Sequence, residues 1–109
     1  MIKYLSPFKS QALVAGDNQA YIVPANTVSQ IRALTFHNTT AASVSIEVYL
    51  IPSNVATTAD AQRLVKKTLA QNESYLCPEV INQILATGDK VVLKGEAVNA
   101  MLSVAEQPV

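Results

Sequence analysis

At 109 residues the chain fits one domain with a single hydrophobic core and no need of staples. Eight Lys and Arg balance eight Asp and Glu and no basic run occurs, so the electrostatic footprint that draws nucleic acid or an anionic membrane is missing. Charged residues make up 15% of the chain, against roughly 25% in an ordinary soluble domain. A small domain has much surface to keep wet, so the shortage points to surface covered by other protein, in a homo-oligomer or an assembly. The alternative is that Ser, Thr, Asn and Gln do the solvating. The lone cysteine, Cys77, rules out an intrachain disulfide and suits folding in a reducing compartment. No apolar run approaches membrane-spanning length, and Met1 to Pro7 has neither a charged leader nor a long apolar stretch, so neither export nor anchoring is expected.

In chain order, residues 1 to 19 read as an N-terminal arm or an edge-strand region and residues 20 to 109 as a β-sandwich, one domain in all. Tyr4, Leu5 and Phe8 around Pro7 are candidates for docking on a neighbouring subunit; an edge strand of the same sandwich is the alternative. Strands are expected near Gln11 to Ala15, Ala20 to Val23, Val28 to His37, Ser43 to Ile51, Arg63 to Leu69, Glu73 to Cys77, Lys90 to Lys94 and Ala100 to Ala105, separated by evenly spaced turn residues. The clearest case is Ser43 to Leu50, where Val44, Ile46, Val48 and Leu50 alternate with Ser45, Glu47 and Tyr49. Asn38-Thr39-Thr40 supplies turn residues before it, so Val28 to His37 and Ser43 to Ile51 read as an antiparallel hairpin closed by Pro52. The polar stretch Asn54 to Gln62 reads as a contact loop through Asn54, Thr57 and Thr58, or as a plain crossover between sheets or a short helical turn. Pro78 to Leu85, with Pro at a first turn and Val80, Ile81, Ile84 and Leu85 at helical spacing, predicts a short helix. The fold expected is thus an all-β antiparallel sandwich, jelly-roll-like or immunoglobulin-like, of about eight strands.

Little in the chain points to chemistry. His37 and Cys77 are the only residues of their kinds and nothing in the spacing joins them; no G-x-S-x-G occurs, and the carboxylates are scattered mostly at turns. A single His without ligand-spaced Cys or carboxylates builds no tetrahedral metal set, and Gly16, Gly88 and Gly95 sit in separate turns where no phosphate cradle forms. Neither enzyme activity nor a cofactor or metal is expected. Trp is absent, and of the six aromatic residues Tyr49, opposite Val48 and Leu50, is the best candidate for an exposed or intersubunit ring. Ser45, Glu47 and Tyr49 are therefore expected to form an outward interface, with sheet-to-sheet packing of Tyr49 as the alternative.

Three pieces stand in order: Y-I-V-P-A-N-T-V-S-Q-I from Tyr21, L-T-F-H-N-T-T-A-A-S-V-S-I-E-V-Y-L-I-P from Leu34, and A-Q-N-E-S-Y-L-C-P-E from Ala70. Together they resemble the small β-sandwich structural proteins of tailed bacteriophages, which carry a V-P-A strand end, a T-N-T-T type turn, a V-Y-L-V-P strand and an L-x-x-G-E-S-Y turn. The resemblance runs from about residue 20 to 95. The chain departs from it at Asn72, where glycine is expected before Glu73, and at Asn54-Val55 after Pro52. It implies a virion component made in the bacterial cytoplasm: a capsid decoration or cement protein, or else a small neck or tail subunit. The partners implied are other copies of itself, as dimer or trimer, and the major capsid protein or another virion protein. A bacterial adaptor or ligand-binding sandwich is the reading from outside that class.

Overall fold

The structure, a computed structural model, describes residues 1–55 and 58–109. Its strands are β1 (Lys3–Ala12), β2 (Asn18–Ile22), β3 (Thr27–His37), β4 (Val44–Ile51), β5 (Arg63–Leu69), β6 (Ser74–Tyr75), β7 (Ile84–Leu85), β8 (Lys90–Lys94) and β9 (Asn99–Pro108). They form two antiparallel sheets, β1-β9-β3-β6 with β7 also on β3, and β2-β8-β4-β5. Successive strands alternate between the sheets through β4, and the two orders together are those of a jelly roll. The expected all-β sandwich is what the chain forms.

Alternation builds the core. Ile31, Leu34 and Phe36 of β3, Leu102 and Val104 of β9, Ile46 and Val48 of β4, and Val91 and Leu93 of β8 are all buried between the sheets. Each such side chain contributes roughly 1.5 to 3 kcal/mol on leaving water. Ile31 and Leu34 lie an odd number of residues apart yet both face inward, because a bulge between Ile31 and Ala33 takes up Arg32. A second bulge, between Val48 and Tyr49 on the β4–β5 ladder, leaves Leu64 unpaired and half exposed.

The expected hairpin of residues 28 to 51 is corrected: β3 and β4 lie in different sheets. The cause is Asn38, wholly buried where the chain leaves β3. Its amide donates to the carbonyls of Ala42 at 2.8 Å, Leu69 at 3.0 Å and Ala70 at 3.3 Å, while its oxygen accepts from the Thr40 amide and hydroxyl at 3.0 and 2.7 Å. The side chain thus ties the corner to the end of β5, and the turn residues carry the chain across the sandwich. Buried polar groups so fully paired hold one geometry, since each lost partner strands another in a dry interior.

The helix expected over Pro78 to Leu85 is also corrected, to a 3-10 turn over Pro78–Val80 followed by β7. Cys77 enters this turn in the left-handed region at φ 46, and Asn82 leaves it at φ 69, conformations that end a helix. The backbone bonds go to β3 instead, from Ile31 N–H to the Gln83 carbonyl and from Asn82 N–H to the Ile31 carbonyl. β6 and β7 are therefore two pieces of one broken edge strand. Residues 1 to 19 contain the edge strand β1 and no free arm, and the strand expected near Gln11 to Ala15 lies earlier, at Lys3–Ala12.

Candidate interaction surface

The two sheets turn very different surfaces outward. On β9, Ala100, Leu102 and Val104 face the core, which leaves Met101, Ser103, Ala105 and Gln107 outward. Their register partners on β3 are Thr35, Ala33, Gln30 and Val28, and Tyr4 of β1 pairs with Ala105. None of these residues is charged. Tyr4 is 69% exposed, Ile84 of β7 64% and Met101 41%, so large apolar side chains stand in water among small ones. Shallow depressions run along the face, one lined by Ile2, Val28, Gln30 and Ile84, another by Tyr4, Ser6, Arg32 and Ser103, a third by Ser10, Thr35, His37 and Met101. Charge enters them outwardly only at Arg32. Glu106 turns its carboxylate between the sheets to accept from the Tyr21 hydroxyl, and that oxygen lies 2.6 Å from the buried Ser29 Oγ. With its single proton given to Glu106, Tyr21 accepts from Ser29. Burial, then the Glu106 hydrogen bond, raises the Tyr21 pKa well above its ordinary value and holds it neutral.

Around Tyr49 the second sheet is closed over by ions, while Ile22 and Leu64 elsewhere on it stand half exposed. Tyr49 points outward from β4 as its alternation predicts, yet it is 2% exposed. Its ring packs with Ile51, Val92 and Val55, and the Lys94 ammonium lies 5.2 Å from the ring centre. The Tyr49 hydroxyl donates to Glu47 Oε1 at 2.5 Å, and Arg63 Nη1 approaches the same oxygen at 3.3 Å. Arg63 also reaches Asp60 at 3.8 Å and Lys94 reaches Asp17 at 3.4 Å. The Tyr49 hydrogen bond, reinforced by Arg63, holds the Glu47 carboxyl below its ordinary value, while burial and Glu47 raise the Tyr49 phenol.

The sheet edges are guarded. β1 carries Pro7, which lacks an N–H, inside a bulge between Leu5 and Phe8. β5 presents Lys66 and Lys67, and the broken β6–β7 edge offers no continuous ladder. Such devices keep strands of other chains from adding on.

Among the expected contact residues, Tyr4 lies on the sparsely charged outer face of β1, β9 and β3, whereas Leu5 and Phe8 pack against the core. Ser45 is exposed on the opposite face and bonded to Thr68 at 3.0 Å, with Glu47 and Tyr49 beside it. The structure therefore separates Tyr4 from Tyr49, and the expectation of an exposed Tyr49 is corrected, as is its sheet-to-sheet alternative, because the ring is sealed on the outside of the sandwich. Asn54 sits exposed in the turn after Pro52 and Thr58 is half-buried, while Thr57 lies outside the described residues. The Asn54 to Gln62 stretch joins neighbouring strands of one sheet and ends in a 3-10 turn at Asp60–Gln62.

For chemistry, the described residues hold no group of three or more His, Cys, Asp or Glu placed for a metal. His37 Nδ1 lies 2.6 Å from Ser74 Oγ. Burial, with a smaller push from the Glu79 charge, raises the Cys77 thiol to about 12, so it stays protonated and unreactive. This sparsely charged face was absent from the expectations, although the alternate positions Met101, Ser103, Ala105 and Gln107 carry its signal in the sequence.

The chain matches no family model, and no curated protein matches it. Among solved structures it aligns with a chain of the IBDV viral particle, whose crystal structure was solved in the context of icosahedral virus evolution. The identity is 13% and the TM-score 0.43, and the alignment covers 97% of this chain and 30% of that one. This chain thus spans less than a third of that neighbour's length.

Proposed function

We propose that the chain is a nonenzymatic structural protein of a tailed-phage virion, a capsid decoration subunit that works by burying surface against other protein. The observation that carries this reading is the outer face of β1, β9, β3 and β7, sparsely charged through Arg32 and Lys9 and bearing exposed Tyr4, Met101 and Ile84. An isolated soluble domain keeps such surface small, and a larger stretch marks contact with protein. Jelly rolls occur in capsid and lectin domains alike, so topology by itself assigns neither. The low overall charge and the resemblance of the Tyr21 to Glu79 segments to phage sandwich proteins support the capsid reading.

A decoration protein binds assembled shell and not free capsid subunits, so its binding free energy adds to the assembled state. Repetition of weak contacts over a symmetric lattice multiplies them. The test is co-sedimentation of the purified chain with empty phage shells and with unassembled capsid protein, followed by copy counting in mature particles. Binding to shells alone, at a copy number near that of the capsid protein, is expected. A handful of copies would replace decoration by a neck or tail position, and absence from particles would overturn the assignment.

A further inference from the structure

We infer that the outer face of β1, β9 and β3 docks a protein surface that presents carboxylates, with Arg32 and Lys9 as the two charged anchors. The inference rests on the proposed function's premise that protein covers this face, and goes beyond it in naming the chemistry of the partner.

The distribution of charge is the first argument. The chain is neutral overall, yet all eight of its Lys and Arg stand on strands. Six of its eight carboxylates, Asp17, Asp60, Glu73, Glu79, Asp89 and Glu96, lie in the connections instead. Of the two on strands, Glu47 belongs to the other sheet, and Glu106 turns its carboxylate inward to accept from Tyr21. Among the described residues the face therefore carries cations and no outward acid.

The second argument is that these cations are unanswered within the chain. On the opposite sheet Arg63 reaches Glu47 and Asp60, and Lys94 reaches Asp17. Arg32 and Lys9 are both exposed, and among the described residues neither makes an ion pair.

Their setting is the third. Arg32 opens onto a depression it shares with Tyr4, Ser6 and Ser103. Lys9 follows the core-facing Phe8 on β1 and stands opposite the exposed Met101. Two strand rows at about 4.8 Å, and some 8 Å along the strands, put the Arg32 and Lys9 Cα atoms about 12 Å apart. A partner bearing cations at those points would be repelled, and a neutral one would gain nothing from them. Complementary charge steers encounter and selects among partners more than it adds affinity, so Tyr4 and Met101 supply buried apolar area while Arg32 and Lys9 make the choice.

Two measurements on the intact chain test this. In the first, amide NMR spectra follow a titration with poly-L-glutamate at about 20 mM salt, where surface charges are weakly screened. Shifts are expected on β1, β9 and β3 around Arg32 and Lys9, with affinity about tenfold weaker in Arg32→Glu and in Lys9→Glu. No shifts, or shifts centred on Lys66 and Lys67, would overturn the inference. The second is co-sedimentation with empty phage shells, where binding should fall about tenfold in the same two variants and weaken as salt rises from about 50 to about 500 mM. Lys66→Glu, on the opposite sheet, should bind as the parent does. Urea melts confirm folding, and Arg32→Gln or Lys9→Gln stands in for a reversal that does not fold. Shell binding indifferent to both substitutions overturns the inference and leaves the proposed function intact. Shells that bind neither parent nor variants remove the proposed function, and the poly-L-glutamate map then decides the inference alone.

Discussion

The outward sides of β4 and β9 obey the same period of two and reach opposite ends. On β4 the outward Tyr49 is drawn under Lys94 and beside Val92 and Ile51, and its hydroxyl closes on Glu47, so that surface is finished within one chain. On β9 the outward Met101 stands 41% exposed beside the shorter Thr35, and the Tyr4 ring next to Ala105 is itself 69% exposed. Outward is therefore not the same as exposed. A long side chain on a neighbouring strand decides whether an aromatic on the solvent side becomes a small second core or a contact point.

Truncating the outward residue on each side should give the widest separation. Tyr49→Ala is expected to cost about 3 kcal/mol or more, the range for removing a buried aromatic, while Met101→Ala stays within about 0.5 kcal/mol in urea unfolding of the monomer. Equal losses would erase the contrast. The corner that delivers β4 to its own sheet comes next: Asn38→Ala takes the side-chain donor from the buried Leu69 carbonyl, unties the corner from the end of β5 and should cost about 2 kcal/mol. Thr39→Ala, exposed beside it, should leave the melt nearly unmoved.

A pH series sharpens the comparison further. Glu47 is held below its ordinary 4.5 by Tyr49 first and Arg63 second, so the unfolded chain takes up the proton before the folded one. The stability it lends is complete above the unfolded value and disappears as pH falls through the lower folded value. Thermal melts should thus drop more steeply below about pH 4.5 in the parent than in Glu47→Gln. A matching slope in the two would place the acid sensitivity elsewhere, with Glu79, which the Tyr75 hydroxyl lowers in the same way, as the next group to remove. The smallest effect belongs to Ser45→Ala, which loses one exposed hydroxyl contact with Thr68 and should move stability by about 0.5 kcal/mol at most.

Strand identity was legible because Val44, Ile46 and Val48, or Leu102 and Val104, alternate whatever lies across from them. Strand partnership was not. Asn38-Thr39-Thr40 has the composition of a hairpin turn, and only the remote carbonyls of Leu69 and Ala70 convert it into a crossing between sheets. The Pro78 to Leu85 pattern misled for a related reason, since Val80 and Leu85 are buried by β3 and the opposite sheet, not by one face of a helix. Tyr4, Leu5 and Phe8 were read together as a docking arm, and of the three Tyr4 faces outward while Leu5 and Phe8 pack against the core. Ser45, Glu47 and Tyr49 were singled out for facing outward, with the covering Lys94 and Arg63 hidden by their distance along the chain.

β9 lies between β1 and β3, the centre of its sheet, although it is the last strand of the sequence given. During synthesis, β1 and β3 therefore leave the ribosome with no ladder partner between them, and Ile31, Leu34 and Phe36 stay open to water until residues 99 to 108 follow. Closure of that sheet thus waits for β9. A nascent chain stalled before Asn99 would be a holdase substrate, whereas one that has released β9 snaps shut as a whole.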